Sequence, residues 1–450
     1  MFQCYKPSMF NYICNLNDGE QMLFNSYRGV SNSRRITEEK SEKINYFLGT
    51  KEVKASSDSD FLKLCELGFL VPIDTDEKSM RQVLYWNIIS DNVLRLVVHT
   101  TKACNFRCRY CSLDFDDIPM GEDIQIGIVN FVKKNINKYR GVEISWFGGE
   151  PLMEPDIIDN ISKQVIEICE KAHKPYWGSM NTNGFYLTPE IVNMLIKNKV
   201  LNLVVTIDGV KEEHDKVRVQ IDGAPTFDII INNLLYIKKA VKTRALSVSI
   251  RTNLTVSMTN HLDEYYNFFN DRFGDDSRFS LFMRIAGDWG GERVKTMSTN
   301  LLDITKKNTF DEMFEKMSAL VKDTKKSKLY FPMNFTDINV GGSTCRARYM
   351  HKYTIAVDGN VTKCDDDDRM FSIGTLNKDG IMQINENNNA AWLTAFPNNS
   401  ACDDCFFSCV CMMGTCPKST LFKFRSHCPK LELDGLLKLY CATFSVPYLD

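Results

Sequence analysis

Between about residue 92 and residue 325, apolar β-rich runs alternate with amphipathic helical segments, and no other feature restricts the fold as much. The runs are "VLRLVVHTT", "GVEISWFGG", "PYWGSMNTNG", "VLNLVVTIDG", "ALSVSIRTNL" and "RFSLFMRIAG". Segments such as "IGIVNFVKKNINKYR" and "PDIIDNISKQVIEICEKA" separate them. A strand followed by a helix that returns the chain to its starting edge makes parallel neighbours with right-handed crossovers. Six such units fall short of the eight that close a full barrel. The alternation therefore predicts an α/β fold, a partial, open (β/α)6 barrel, with its site at the C-terminal ends of the strands.

The flanks differ from this pattern. Residues 1–88 predict a separate small module: a hairpin in "YICNLNDGEQMLFN" turning at Asn17-Asp18-Gly19, then helices in "ITEEKSEKINYFLGT" and "SDSDFLKLCELGFLVP". Helices beside a hairpin read as winged-helix-like. In residues 335–450 the alternation fails. The stretch "NNNAAWLTAFPNNSACDDC" has too few apolar residues to bury a core, so the segment is expected to depend on metal clips.

Charge narrows the functional classes. With 55 basic and 57 acidic residues the net charge is −2, which recruits neither nucleic acid nor an anionic membrane. "MFQCYKPSMFNYICNLNDGE" lacks the features of a secretory signal, and no apolar uncharged run is long enough to span a bilayer. A cytoplasmic protein is expected. Sixteen cysteines there are not a disulfide framework. Cys409 and Cys411, two residues apart, also fit disulfide geometry poorly.

"CNFRCRYC" places Cys104, Cys108 and Cys111 in a C-x3-C-x2-C spacing just after the first strand. Three thiolates hold three corners of an iron–sulfur cubane and leave the fourth iron open. Zinc closes with four protein ligands, and no histidine or fourth cysteine lies nearby. Three buried thiols acting as small hydrophobes are the plain alternative. Their place on a loop after a strand, where barrel chemistry is found, argues against it.

With "FGGEP" following, residues 92 to about 290 resemble the radical S-adenosylmethionine superfamily. The resemblance implies that Cys104, Cys108 and Cys111 bind a [4Fe–4S] cluster whose open iron is chelated by S-adenosylmethionine. It places Tyr110 at a common aromatic position. Gly148, Gly149, Glu150 and Pro151 end the second strand, where glycines let backbone carbonyls approach the ligand's ammonium. Thr206 and Asp208 of "TIDG" would meet the ribose or the methionyl group. Arg218 in "HDKVR" is in reach of a carboxylate. Asn183 in "NTNG" and Arg251 in "SIRTN" hold similar strand-end positions.

The last hundred residues resemble the SPASM domain, an extension that holds two auxiliary iron–sulfur clusters. "CRARYMHKYTIAVDGNVTKC" carries Cys345 and Cys364, with "VDGNVTKC" predicted as a tight hairpin delivering a thiolate. The resemblance implies that Cys402, Cys405, Cys411 and Cys428 ligate the distal cluster, and Cys345, Cys364 and Cys416 the nearer one. That makes three [4Fe–4S] clusters in all. Two departures stand out. Four residues separate Cys411 and Cys416 where the family usually has three, and Cys441 competes with Cys428 as last ligand. Cys409 is spare. No cysteine precedes Cys345 in "FTDINVGGSTC", so an open iron on the nearer cluster is expected, unless Cys409 or another residue completes it.

Such an enzyme takes an electron from a flavodoxin- or ferredoxin-type reductant, cleaves S-adenosylmethionine and removes hydrogen from an unactivated carbon. The resemblance to peptide-modifying members of the family, which carry a winged-helix-like element there, implies a precursor peptide whose leader adds as a strand to the hairpin. "RIAGDWGG" also resembles a peptide-maturase motif. The expected reaction is a cysteine-derived thioether cross-link in that peptide. The competing reactions are formylglycine formation in a sulfatase and carbon–carbon cross-linking.

Overall fold

A computed structural model describes residues 4–16, 18–286, 293–302, 312–317, 338–365, 371–397, 400–414, 416–422 and 428–449. The motif at 284–291 lies mostly outside the described residues, as does Asn17 of the hairpin turn. Among the described residues no helix is long and apolar enough to cross a membrane.

The first module begins with β1 (Cys4–Pro7), β2 (Asn11–Asn15), β3 (Gln21–Asn25) and β4 (Arg34–Ile36). β2, β3 and β4 form an antiparallel sheet, with Gly19 at φ +84 in the turn after β2. That left-handed backbone is where glycine costs least. α1 (Glu38–Gly49), β5 (Val53–Lys54), α2 (Ser59–Glu66) and β6 (Leu70–Pro72) follow. Asp58 caps α2, its carboxylate accepting the amides of Asp60 and Phe61 at 3.0 and 3.2 Å. Leu23, Ile36, Ile44, Phe47, Phe61 and Leu64 close a core of their own. α3 (Glu77–Ile89) then ties the module down. Arg81 donates to the Asp403 carbonyl at 2.8 Å and Tyr85 to that of Leu393 at 2.6 Å.

The expected six parallel strands are present. β7 (Val93–His99), β8 (Gly141–Phe147), β9 (Tyr176–Thr182), β10 (Val200–Thr206), β11 (Ser247–Leu254) and β12 (Phe279–Ile285) lie side by side in sequence order. Helices between them bury one face each: Ile158, Ile161 and Val165 of α5 (Pro155–Lys171) point to the sheet side. The spacing is that of an amphipathic helix covering a β layer. α4 (Glu122–Asn135) joins the first two strands.

The sheet continues further than the alternation predicts. β13 (Lys352–Ile355) pairs parallel with β7, bringing Thr354 opposite Val97. β14 (Asn360–Thr362), β15 (Gly374–Leu376) and β16 (Met382–Ile384) then add antiparallel strands, making ten among the described residues. The expected hairpin is β13–β14, turning through Gly359 at φ +83. Lys352 is fully buried in β13, yet its ammonium donates to Thr354 Oγ1 at 2.6 Å and pairs with Asp365 at 2.6 Å. A buried charge survives only with such partners.

The C-terminal layer docks on α4 through close backbone approach. A Cβ on Gly380, at φ +72, would lie 2.4 Å from the Phe131 nitrogen. Lys134 donates to the Asp379 carbonyl at 2.6 Å, and Asn130 to that of Lys378 at 3.0 Å. Gly380→Val is therefore expected to cost about 2 kcal/mol or more, from backbone strain and the clash. The loss should be read as a lower urea midpoint by circular dichroism. An unchanged midpoint would show that this docking is not tight.

Candidate functional site

The C-terminal ends of the parallel strands open into a cavity of about 400 Å³. Cys104, Cys108 and Cys111 line it from the loop after β7. Glycines at the end of β8 seat that loop: a Cβ on Gly149 would lie 2.0 Å from the Ala103 carbonyl oxygen, and one on Gly148, at φ +121, 2.4 Å from that of Thr101. Backbone bonds from Gly149 to Thr101 (3.0 Å) and from Glu150 to Ala103 (2.8 Å) hold the contact. The glycines thus serve the cysteine loop, a role the sequence reading had given only to the approach of a ligand. Burial pushes the Cys104 thiol up to about 12 and Cys108 to about 11, so each keeps its proton until a metal replaces it.

Glu150 is buried at the cavity wall. Its carboxylate accepts the Asn183 amide and the Thr182 hydroxyl, each at 2.7 Å, and the Leu152 amide at 3.1 Å. Burial nevertheless raises it to about 6. Asn183, Thr206, Arg218 and Arg251 also line the cavity. Pro151 and Asp208 do not. Pro151 is buried behind the strand end, where its carbonyl accepts the Thr100 hydroxyl at 3.3 Å.

Asp208 works from the second layer, through Tyr110. The Tyr110 hydroxyl donates to Asp208, and accepts from Arg218 Nη1 at 2.6 Å and from Asn253 Nδ2 at 3.2 Å. Asp208 Oδ1 takes the Asn253 amide at 2.8 Å and its side chain at 3.0 Å. Arg218 stands 3.8 Å from the same carboxylate and 5.6 Å over the Phe106 ring. Asn253, the last residue of "SIRTN", also lines the cavity, although only Arg251 of that stretch was assigned a site position. The signal was present in strand periodicity, since Arg251 and Asn253 share one face of β11.

The C-terminal cysteines fall into groups. Cys364 and Cys416 line the same cavity as the first three thiols. Cys345, pushed up to about 11 by burial, has Cys416 as a close neighbour. Cys411, pushed to about 12 by burial, feels Cys405 and Cys428 next, and Cys402 feels the same two. Cys428 therefore stands with Cys402, Cys405 and Cys411. Cys441 sits elsewhere, its sulfur 3.2 Å from that of Met22 in the hairpin. Cys409 is fully buried among Ser26, Arg81 and Glu77. Among the described residues no three Cys, His, Asp or Glu side chains converge on the position of a single metal ion.

The residues fit the groups that the sequence implies. Three thiols on one loop face a cavity with a carboxylate, two guanidinium groups and strand-end amides around it. The Nε of Arg218, deeply buried, has no acceptor among the described residues. A ligand carboxylate suits it.

Residues 98–267 match the family model for the Radical SAM superfamily, and residues 345–406 that for SPASM, an iron-sulfur cluster-binding domain. A cysteine-type anaerobic sulfatase-maturating enzyme of Clostridium novyi is 25% identical over 199 residues, 42% of this chain and 50% of the relative. A serine-type anaerobic sulfatase-maturating enzyme of Bacteroides thetaiotaomicron is 27% identical over 179 residues, 38% of this chain and 41% of the relative. The chain thus spans about half the length of the curated relatives it matches. Among solved structures, anSMEcpe with bound AdoMet superposes with a TM-score of 0.60 at 16% identity, over 78% of this chain and 96% of that one. Streptococcus suis SuiB bound to S-adenosylmethionine superposes at 0.53 and 17% identity, over 94% and 97%. At these identities the likeness is one of fold. The SuiB match is long enough to take in most of the N-terminal module.

Removing the Asp208 carboxylate strands Arg218, Tyr110 and Asn253 in the interior. Asp208→Ala is expected to cost about 3 kcal/mol, as when one partner of a buried ionic network is lost. Tyr110→Phe is expected to cost about 1–2 kcal/mol, because it leaves the packing but removes the shared hydroxyl. Anaerobic urea unfolding of both variants measures this, and equal costs would contradict the network.

Proposed function

We propose that this chain, in which a radical SAM domain is joined to a SPASM iron–sulfur domain, is a peptide maturase. In this reading it removes a hydrogen from a residue of a ribosomally made precursor and leaves a cysteine-derived thioether. The observation that carries this is the shared cavity: Cys364 and Cys416 reach the chamber lined by Cys104, Cys108 and Cys111. A substrate held there meets both sets of thiols. When bound, a reduced [4Fe–4S] cluster with S-adenosylmethionine supplies a radical able to take hydrogen from an unactivated carbon.

Each residue then has a task. Cys104, Cys108 and Cys111 hold the first cluster. Glu150 and the strand-end carbonyls receive the ammonium of S-adenosylmethionine, and Arg218 or Arg251 receives its carboxylate. Tyr110 and Asp208 keep Arg218 and Asn253 in place. Cys402, Cys405, Cys411 and Cys428 hold the distal auxiliary cluster, and Cys345, Cys364 and Cys416 the nearer one. That ligand set is consistent with a nearer cluster open to a substrate thiolate, because Cys409 is turned toward Ser26 and Arg81. A peptide substrate has further support from SuiB, solved with its precursor peptide SuiA. The module at 1–88 is read as the winged-helix-like leader site, and a flavodoxin- or ferredoxin-type protein as the reductant. A second reading, oxidation of a cysteine or serine to formylglycine, draws on the names of the two curated relatives.

Mass spectrometry of a precursor peptide co-expressed with the enzyme separates these readings. Loss of two hydrogens with one thiol blocked to alkylation is expected. A formylglycine product, or loss of two hydrogens with all thiols free, would reject the thioether. Anaerobic reconstitution should bring about twelve irons per chain, the content of three cubanes. Alanine at Cys104, Cys108 and Cys111 should abolish 5′-deoxyadenosine formation, and retained formation would refute the radical chemistry.

Glu150 adds a pH dependence. Burial raises its pKa from 4.5 to about 6, so the carboxylate is charged above that pH and protonated below it. Affinity for S-adenosylmethionine is expected to fall as pH drops through about 6. Glu150→Gln should remove that dependence and weaken binding at pH 8 by about tenfold, the worth of a charged hydrogen bond. Equilibrium dialysis of the reconstituted protein is the check. An unaltered pH profile in the variant would show that another group sets it.

A further inference from the structure

The sheet of β2, β3 and β4 has a strand already laid along the outer edge of β4, and it comes from the far end of the chain. The Arg35 amide donates to the Pro447 carbonyl at 2.9 Å, and the Leu449 amide donates to the Arg35 carbonyl at 2.9 Å. These two bonds form a parallel bridge between Arg35 and Tyr448. Side chains complete the seat. Leu449 is buried in the module's own core with Leu23, Ile36, Ile44 and Phe47. Its carbonyl accepts Lys40 Nζ at 2.8 Å. Outward, the Tyr448 ring lies under the Arg35 guanidinium at 5.4 Å and its hydroxyl meets Glu20 at 3.2 Å.

Backbone pairing to an exposed strand edge, with alternate side chains in a pocket and on a platform, is how sheets bind extended peptides. Here the ladder stops after two bonds, because Pro447 has no amide hydrogen to extend it. Phe444 and Ser445, just upstream, are exposed. The occupant is thus held by two backbone bonds, one buried leucine and a few side-chain contacts, on a covalent tether.

We propose that the outer edge of β4 is the peptide-docking edge of this module, that residues 446–449 occupy it in cis, and that an extended segment of the peptide substrate displaces them. The chemistry of the seat defines that segment. It carries an aromatic residue to lie under Arg35, followed directly by an aliphatic residue to enter the Leu449 pocket, and it has no proline just before the aromatic residue. The proposal rests on the peptide-substrate reading above. It adds a self-occupied state that an incoming peptide must open.

The probe is a fluorescent peptide of this chain's own residues 444–450, added to the reconstituted protein and followed by anisotropy. A tethered segment competes at an effective concentration near millimolar. A chain shortened after Thr443 is therefore expected to bind the probe at least tenfold more tightly than the full chain. Equal binding by the two, or no binding by a folded shortened chain, would overturn the proposal. Should the shortened chain fail to fold, hydrogen exchange on the full chain decides. Excess probe must speed exchange at Leu449 while Arg35 stays protected, and unchanged exchange at Leu449 overturns the proposal. Neither measurement needs turnover, and 5′-deoxyadenosine formation is assayed on the same samples. A failure here is thereby distinguished from a failure of the maturase reading.

Discussion

The hydroxyl of Tyr110 joins parts of the chain that are far apart in sequence, and the geometry of the cavity depends on it. It lies in the cysteine loop after β7, donates to Asp208 after β10, and accepts from Arg218 and from Asn253 on β11. Asp208, Arg218 and Asn253 are buried, and a buried polar group without a partner costs more than a bond returns. The four therefore hold one another in a single arrangement. Cys108 and Cys111 flank Tyr110 in sequence, so the network also fixes where two of the three thiols stand. The glycines at the end of β8 act from the other side, seating the loop near Cys104. The loop that carries the three cysteines, without regular structure, is thus held between two strand ends.

Much of this was legible in the sequence, because long apolar runs at regular spacing admit few folds. The six strands of the barrel and the motifs at their ends could be read from periodicity and from quoted stretches such as "FGGEP" and "TIDG". What escaped was of two kinds. β13 is a four-residue strand that contains a buried lysine, and its partner β7 lies about 250 residues earlier. Its stability comes from Thr354 and Asp365 around Lys352, which no local pattern announces. Asn253 and Asp208 form the second kind. Asp208 is visible in a motif, but whether it faces the cavity or braces the wall depends on Tyr110, whose hydroxyl arrives from another strand end.

The cysteines of 402–416 illustrate the same limit. Spacing alone offered Cys409 and Cys441 as rivals for ligand positions. The fold sends Cys409 into the packing between α3 and the hairpin module, and Cys441 against Met22. Both are consumed by the contact between the first module and the C-terminal layer. That contact is extensive: Tyr12 stacks on Phe406 at 4.6 Å and bonds Asp434, while Arg81 reaches Ser408 at 3.1 Å. The module at the start of the chain therefore packs directly beside the segment that carries the distal cysteines.

This adjacency gives the occupied edge of β4 its physical meaning. The strand that fills it follows directly from the helix Leu433–Thr443, whose Asp434 and Cys441 already touch β2 and β3. Displacing residues 446–449 exposes the Leu449 pocket of the first module and frees the end of that helix. A peptide that takes their place on β4 is then held by a module packed against the cysteine-bearing layer. Opening gives up two backbone bonds, the burial of Val446 and Leu449, and the contacts of Lys40, Glu20 and Arg35 with residues 448 and 449; a segment without proline makes additional ladder bonds in return.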